Sequence, residues 1–371
     1  MEKYLAIASK FEIAGTITEI KPLGPGFIND TFIVKTQEGP KFILQRKNHV
    51  VFPDVPGMMN NIIMVTEHIK AKVAAEGDDP MREALTVVKR GPKTLTEDEK
   101  AMPYSDLYYK DPEGNFWAVC VFIEGSVTYE KADTPALAYK GGQGIGKFQA
   151  QLSDFTTPLS ETIKGFHNIR WRFTQWDETV KADAAGRVKD LAEEISWIES
   201  RREEMMKFWS LVEDGTIPTR VTHNDTKLSN ILFDKETGKV LCAIDLDTVM
   251  SSTSLNDFGD SIRSYANTGA EDDRNLDNVG LDLERFRAFT EGYLSQRKDT
   301  MTASELEWLA FSARYITFEQ VLRFLMDYID GDKYYRIHYP EHNLVRTHAQ
   351  YKLLRSMEEQ YEQMRAIVNS L

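Results

Sequence analysis

The apolar positions change period once along the chain. Up to about residue 125 they come in short runs broken by Gly and Pro: Thr16 to Gly24, Pro25 to Thr36, and Lys41 to Phe52 after the turn at Glu38-Gly39-Pro40. Runs of that length bounded by turn formers predict an antiparallel meander. Met59, Ile62, Ile63 and Ile69 recur at helical spacing and predict a helix over Met58 to Lys70, with a short element following between Pro80 and Arg90. Tyr108-Tyr109 and the run starting at Phe116 flank Asp111, Pro112 and Gly114, which predicts a hairpin.

From about Pro135 the period becomes helical. Ile145, Phe148 and Leu152 mark one helix, and Leu191 to Val212 reads as one long amphipathic helix ended near Gly215 and Pro218. Thr302 to Glu305 is a capping box, in which hydroxyl and carboxylate satisfy each other's backbone N–H, for a helix running past Tyr328; a last helix spans Leu344 to Asn369. One island, Val221 to Met250, interrupts the helices: Ile231 to Phe233 and Val240 to Ile244 lie either side of the turn formers Asp234 to Gly238, a second hairpin. The chain is therefore α+β, with a small antiparallel-sheet lobe over 1–125 and a larger, mainly helical lobe over 126–371.

Composition narrows the partners. The 371 residues suffice for two lobes with their own cores. Forty-five Lys and Arg against 58 Asp and Glu give a formal charge of −13, which argues against a general nucleic-acid or membrane-surface binder. Two cysteines, Cys120 and Cys242, are too few for a disulfide framework, and the longest apolar run, Phe116 to Ile123, is far short of a membrane span. We expect a cytoplasmic protein, a monomer or weak homodimer.

The chemistry concentrates in the island. Asp225 and Asn230 lie in a loop entering the first strand of the hairpin, and Asp245 and Asp247 end the second. A hairpin brings its far ends together, so Asn230 and Asp245 are candidate hard-oxygen ligands for Mg²⁺, with phosphate and water completing an octahedron. Asp225 is then left to orient an alcohol and accept its proton, the division of labour phosphoryl transfer needs. Asp247 is a second ligand or a brace, Asp234 a turn cap, and His223 a support for the loop backbone. Protein-kinase activity is disfavoured, because no activation-loop segment follows Asp245.

The pattern His-Asn-Asp with an Asn five residues after the Asp (His223 to Asn230), followed by Ile-Asp-Leu-Asp (Ile244 to Asp247), resembles the aminoglycoside phosphotransferase and choline kinase superfamily. That resemblance implies a two-lobed protein-kinase-like fold, ATP as co-substrate, Asp225 as base and Asn230 and Asp245 as Mg²⁺ ligands. On the nucleotide side, Gly24, Gly26 and Asn29 form a glycine-containing turn suited to phosphate. Lys41, Gln45 and Arg46 compete to meet the phosphates, with Arg46 preferred and Glu67 a candidate to orient it. Phe122 and Glu124 fall where such kinases have the hinge that meets the base.

Outside these motifs, Gly26 to Phe32, Phe42 to Phe52, Asp257 to Arg263 and Arg323 to Leu353 are similar to the N-acetylhexosamine 1-kinase family. This implies phosphorylation of the anomeric hydroxyl of N-acetylglucosamine or N-acetylgalactosamine, and makes Asp225, Arg314, Arg323, Asp327 and Tyr328 the substrate-binding candidates. Phe166-His167-Asn168 is a further candidate wall. The alternatives are a kinase for another small alcohol, such as homoserine, choline or an aminoglycoside, and a non-catalytic nucleotide-binding scaffold.

Overall fold

The computed structural model describes residues 2–24 and 28–371, and these separate into two compact units. The first comprises Met1–Thr128, Asp154–Lys164 and Leu232–Ser251. Its sheet is the expected meander: Ile17–Pro22, Asp30–Thr36 and Phe42–Lys47 pair in sequence order, and Phe116–Val121 adds antiparallel to the third. Val87–Val88 and Tyr109–Lys110 pair with the other edge of Phe116–Val121. The hairpin turn forms because Asp111 Oδ1 accepts from the backbone of Glu113 and Asn115, while Gly114 takes the left-handed φ of +86° that a β-carbon would oppose.

Alternation along these strands sorts the side chains. Phe32, Val34, Phe42, Leu44, Trp117 and Val119 lie on one face, buried with Ile7 and Ala8 of the N-terminal Glu2–Ala8 helix. Gln45 and Lys47 point to the other face, with Ala118 and Cys120 at the matching register. The helix after the meander is longer than its apolar spacing suggested, Val55–Glu76, started by Asp54 accepting from Gly57 N and ended by left-handed Gly77. Its fully buried Asn61 exchanges hydrogen bonds with Ser160 and donates to Val249 O. The island hairpin, Ile231–Asp234 with Val240–Ala243, belongs mostly to this sheet-containing unit, where Ser126–Val127 pairs with its first strand. Asp234 caps the turn as expected and also pairs with Arg82 at 2.8 Å.

The second unit, Tyr129–Ser153, Gly165–Ile231 and Ser252–Leu371, is mainly helical. Its centre is the Ala303–Ile329 helix, opened by the expected Thr302–Glu305 capping box. Against it packs Ser254–Tyr265, where a β-carbon on Gly259 would sit 2.3 Å from Ser312 O. Two expected helices are each broken in two. Ala192–Glu199 and Arg202–Glu213 separate at Arg201, whose buried guanidinium turns back onto Trp197 O and the Glu358 carboxylate. His342–Glu359 and Tyr361–Ser370 separate at Gln360, whose amide donates to Leu281 O and Ser356 Oγ. Apolar period alone does not register a polar side chain that leaves the helix to cap a carbonyl elsewhere. Among the described residues no helix is long and apolar enough to cross a membrane.

Candidate active site

In the sheet-containing unit the polar residues gather on the face away from the N-terminal helix. Lys47 is 4% exposed, and its ammonium donates to Asp247 Oδ1 and Gln45 Oε1, both at 2.7 Å. Asn29 fills the other carboxylate oxygen, donating to Asp247 Oδ2 at 2.7 Å, while its own oxygen accepts from Asn48 N. A carboxylate this buried is tolerable because both oxygens are satisfied, one by a cation. Cys120 lies close enough to feel this pair; burial pushes its thiol up to about 11, so it remains protonated and inert.

Arg46 does not join this group. One residue from Lys47 on a strand, it faces the opposite way, exposed and bound to Asp30 and Asn115. Lys41 pairs with Glu124 at 2.9 Å, and Glu67 with its helix neighbour Lys70. Phe122 N donates to Lys41 O, and Glu124 O accepts from Arg82. Gly24 has a φ of +69°, and Gly26 lies outside the described residues. Asp245 is exposed at the strand end, with a φ of +58° that few non-glycine residues adopt.

In the helical unit, the Thr222–Asn230 loop is held by carboxylates that bind its backbone. Fully buried Asp257 accepts from His223 N at 2.9 Å, Asn224 N at 2.8 Å and Gln149 Nε2 at 2.8 Å. Burial pushes this carboxyl above its ordinary value, and His223 and those donors pull it back in part. Asp260, one helical turn on, accepts from Thr226 N at 2.9 Å. His223 has the structural role its position suggested, since its Nδ1 accepts from Asp225 N at 3.3 Å.

Between these anchors sits Asp225, half-buried, with Oδ2 met by Asn230 Nδ2 at 3.2 Å and Lys227 Nζ at 3.1 Å. Its Oδ1 has no partner among the described residues. Asn230 also donates to Asp225 O at 2.8 Å, so both its contacts use the amide nitrogen and leave the amide oxygen for a ligand. Asp257, Asp260, Lys47 and Lys227 are the residues sequence reasoning passed over or assigned elsewhere. The Asp-x-Lys spacing was a usable signal for Lys227.

Of the substrate-binding candidates, Arg323 stands apart. Its guanidinium lies over the rings of Phe166, Tyr334 and Tyr335 at 5.3, 5.9 and 5.6 Å, and among the described residues it has no hydrogen bond or ion pair. It does not pair with Asp327, although four residues separate them on one helix. Asp327 instead accepts from the backbone N–H of Lys333, Tyr334 and Tyr335 and from Asn343 Nδ2, so its carboxylate organises the loop that carries the two tyrosines. Arg314 ties its helix to Glu204 at 2.7 Å, and Tyr328 stacks under Arg187 at 4.1 Å. Phe166 joins the Arg323 group, His167 reaches the carbonyl of Asn224, and Asn168 caps the Ile169–Ala182 helix.

Residues 19–289 match the phosphotransferase enzyme family, APH, across well over half of the sequence. The chain belongs to that family. Solved structures extend the likeness over nearly the whole length. A microcompartment-associated aminopropanol kinase is 17% identical with a TM-score of 0.62, covering 98% of this chain and 97% of its own. An aminoglycoside phosphotransferase from Alicyclobacillus acidocaldarius is 12% identical with a TM-score of 0.58, covering 99% and 96%. Amicoumacin kinase hAmiN, solved in complex with AMP-PNP, Ca²⁺ and Ami, is 12% identical with a TM-score of 0.53, covering 100% and 93%. At these identities the likeness carries the kinase-like fold and leaves the acceptor open, since one fold hosts many substrates. The family assignment places the chain among phosphotransferases.

Proposed function

We propose that this phosphotransferase moves the γ-phosphoryl group of ATP to the anomeric hydroxyl of N-acetylglucosamine or N-acetylgalactosamine. The observation that carries the phosphoryl-transfer part is the backbone-anchored loop that presents Asp225 with one oxygen braced and the other open. Asp225 Oδ1 takes the hydroxyl proton as the acceptor oxygen bonds to the γ-phosphorus and the bond to ADP breaks. Lys47, held in place by Asp247, replaces Arg46 as the cation for the non-transferred phosphates. Lys227, beside Asp225, balances charge on the group in transit.

Mg²⁺ fits the donors present. Among the described residues no three His, Cys, Asp or Glu side chains form a metal cluster, and Mg²⁺ needs none, since it uses one or two protein oxygens and completes its shell with phosphate and water. The Asn230 amide oxygen and the Asp245 carboxylate are assigned to it, and when bound it supplies positive charge that offsets the phosphates. The amicoumacin kinase complex, with its triphosphate analogue and divalent cation, supports the same pairing here.

Arg323 argues for the acceptor. A guanidinium among three rings, with its N–H groups unfilled among the described residues, suits a neutral ring that offers hydroxyl and acetyl oxygens together with an apolar face. It opposes a cationic acceptor such as choline or an aminoglycoside, because the aromatic cluster that would cage an ammonium already holds a cation. The second reading this allows is an alcohol bearing a carboxylate, such as homoserine. Phosphorus and proton NMR of products from ATP, Mg²⁺ and each hexosamine, with glucose, galactose, choline and homoserine alongside, tests the assignment. Phosphorus coupled to the anomeric proton is expected; phosphorylation of homoserine or choline alone would sink the sugar reading.

A further inference from the structure

His167 is 3% exposed and lies where two backbone conformations unusual for side-chain-bearing residues touch: its own φ is +57°, and that of Asn224, whose carbonyl it meets, is +66°. Such torsions cost free energy and persist only where surroundings impose them. Asn224 directly precedes Asp225, so whatever fixes its carbonyl also sets the direction in which the chain enters the base.

The contacts of His167 specify its protons. Nε2 lies 3.3 Å from Asn224 O, and a carbonyl oxygen only accepts, so Nε2 donates. Nδ1 meets the Glu319 carboxylate. Burial alone would raise Glu319, but His167 and Arg172, whose Nε is 3.0 Å away, hold it well below the usual carboxylate range, so it too only accepts. Both ring nitrogens then donate, and the ring is an imidazolium. Among the described residues, Asp260 from the Ser254–Tyr265 helix also interacts with this ring, Arg323 acts on its partner Glu319, and the Tyr315 hydroxyl donates to His167 O at 2.7 Å.

We propose that His167 is a positioning residue which, as a buried imidazolium bridging Glu319 to the carbonyl of Asn224, holds the loop so that Asp225 is presented in its working orientation. Loss of one ring proton removes one of the two bonds, so the loop is correctly set only while His167 is charged. This rests on Asp225 being the base. It adds that the base is aligned from a segment remote in sequence, through a ring whose two nitrogens both face acceptors.

Two measurements test it. In histidine-labelled full-length protein at neutral pH, the ring signals lost in H167Q should show protons on both nitrogens, and the Asp225 amide should shift with pH in the native chain but not in H167Q. A single ring proton, or an Asp225 amide that titrates identically in both, would overturn the proposal. Neither readout needs a substrate, so it stands or falls separately from the acceptor assignment. In turnover, H167Q should lower kcat about tenfold with KM for ATP within about twofold, and should lose an alkaline decline present in the native enzyme. A variant profile that is only scaled down, with its shape kept, would reduce His167 to a packing role. E319Q guards against misfolding of H167Q: the side-chain amide it introduces can donate to a neutral Nδ1 while Nε2 still donates to Asn224 O, so E319Q should retain most turnover and lose the alkaline decline. Retention of the decline in E319Q would also refute the bridge.

Discussion

Asp247 and Asp225 end neighbouring stretches of the same island, and they are held in opposite ways. Asp247 is buried with both oxygens filled by side chains, Lys47 and Asn29. Asp225 is half-buried with one oxygen braced, and the burden of holding its loop falls on Asp257 and Asp260, which bind backbone N–H groups. In the first arrangement a carboxylate fixes a cation. In the second, two carboxylates fix a backbone, and a third keeps one oxygen without a partner among the described residues. A buried acid that spends its lone pairs on protein donors cannot also accept a substrate proton, so partner count separates the two roles better than residue type does.

Four substitutions sharpen that contrast. Asp225→Asn should lower kcat by about 10³-fold with nucleotide affinity nearly unchanged, because the amide keeps the shape and loses the proton acceptor. Single-turnover kinetics with nucleotide titration checks it, and near-native turnover would remove Asp225 as base. Asp257→Ala should cost about 3 kcal/mol, read by urea unfolding, since it strands buried donors of His223, Asn224 and Gln149. Loss below about 1 kcal/mol would mean the loop does not depend on this anchor. Lys47→Met should raise KM for ATP about tenfold, whereas Arg46→Met should leave it within about twofold; the reverse ranking would restore Arg46 as the phosphate cation.

The smallest effect concerns an exposed cluster. The hydrogen bond from Lys72, with that from His68, lowers the Asp154 carboxyl to about 2. A depressed carboxyl adds stability above its unfolded value and loses it as pH falls through the folded one. Asp154→Asn should therefore cost only a few tenths of a kcal/mol at neutral pH, given solvent screening, and the difference should vanish as pH drops from about 4 to about 2. Equal melting temperatures at neutral pH in low salt would show that the pair adds nothing.

The meander, the Thr302–Glu305 cap and both hairpins were legible in the sequence because each is a local instruction: a turn former between apolar runs, or a hydroxyl three residues before a carboxylate. Asp225 and Asn230 were legible as neighbours for the same reason, since one short loop carries both, and Asn230 Nδ2 meets the carbonyl and the carboxylate of Asp225. Two helix breaks were not, because Arg201 and Gln360 leave their helices for partners far along the chain. The Asp257-Phe-Gly-Asp260 stretch stood out in the sequence only as part of a family resemblance; tertiary contact makes its carboxylates anchors for the loop that carries Asp225 and its glycine a close-packing position.

By itself, then, the sequence determined the kind of chemistry and the order of the elements, both of which depend on neighbours close along the chain. Tertiary structure decided which cation faces Asp247, because Phe42, Ile43 and Leu44 are all apolar and conceal which of Arg46 and Lys47 points away from the face that packs on the N-terminal helix. It also decided which acids spend their oxygens on backbone and side-chain donors and which keeps one unfilled among the described residues, and that Arg323 meets rings instead of Asp327. These depend on strand register and on packing across the fold, where one residue of offset or one helix crossing reverses what a side chain touches.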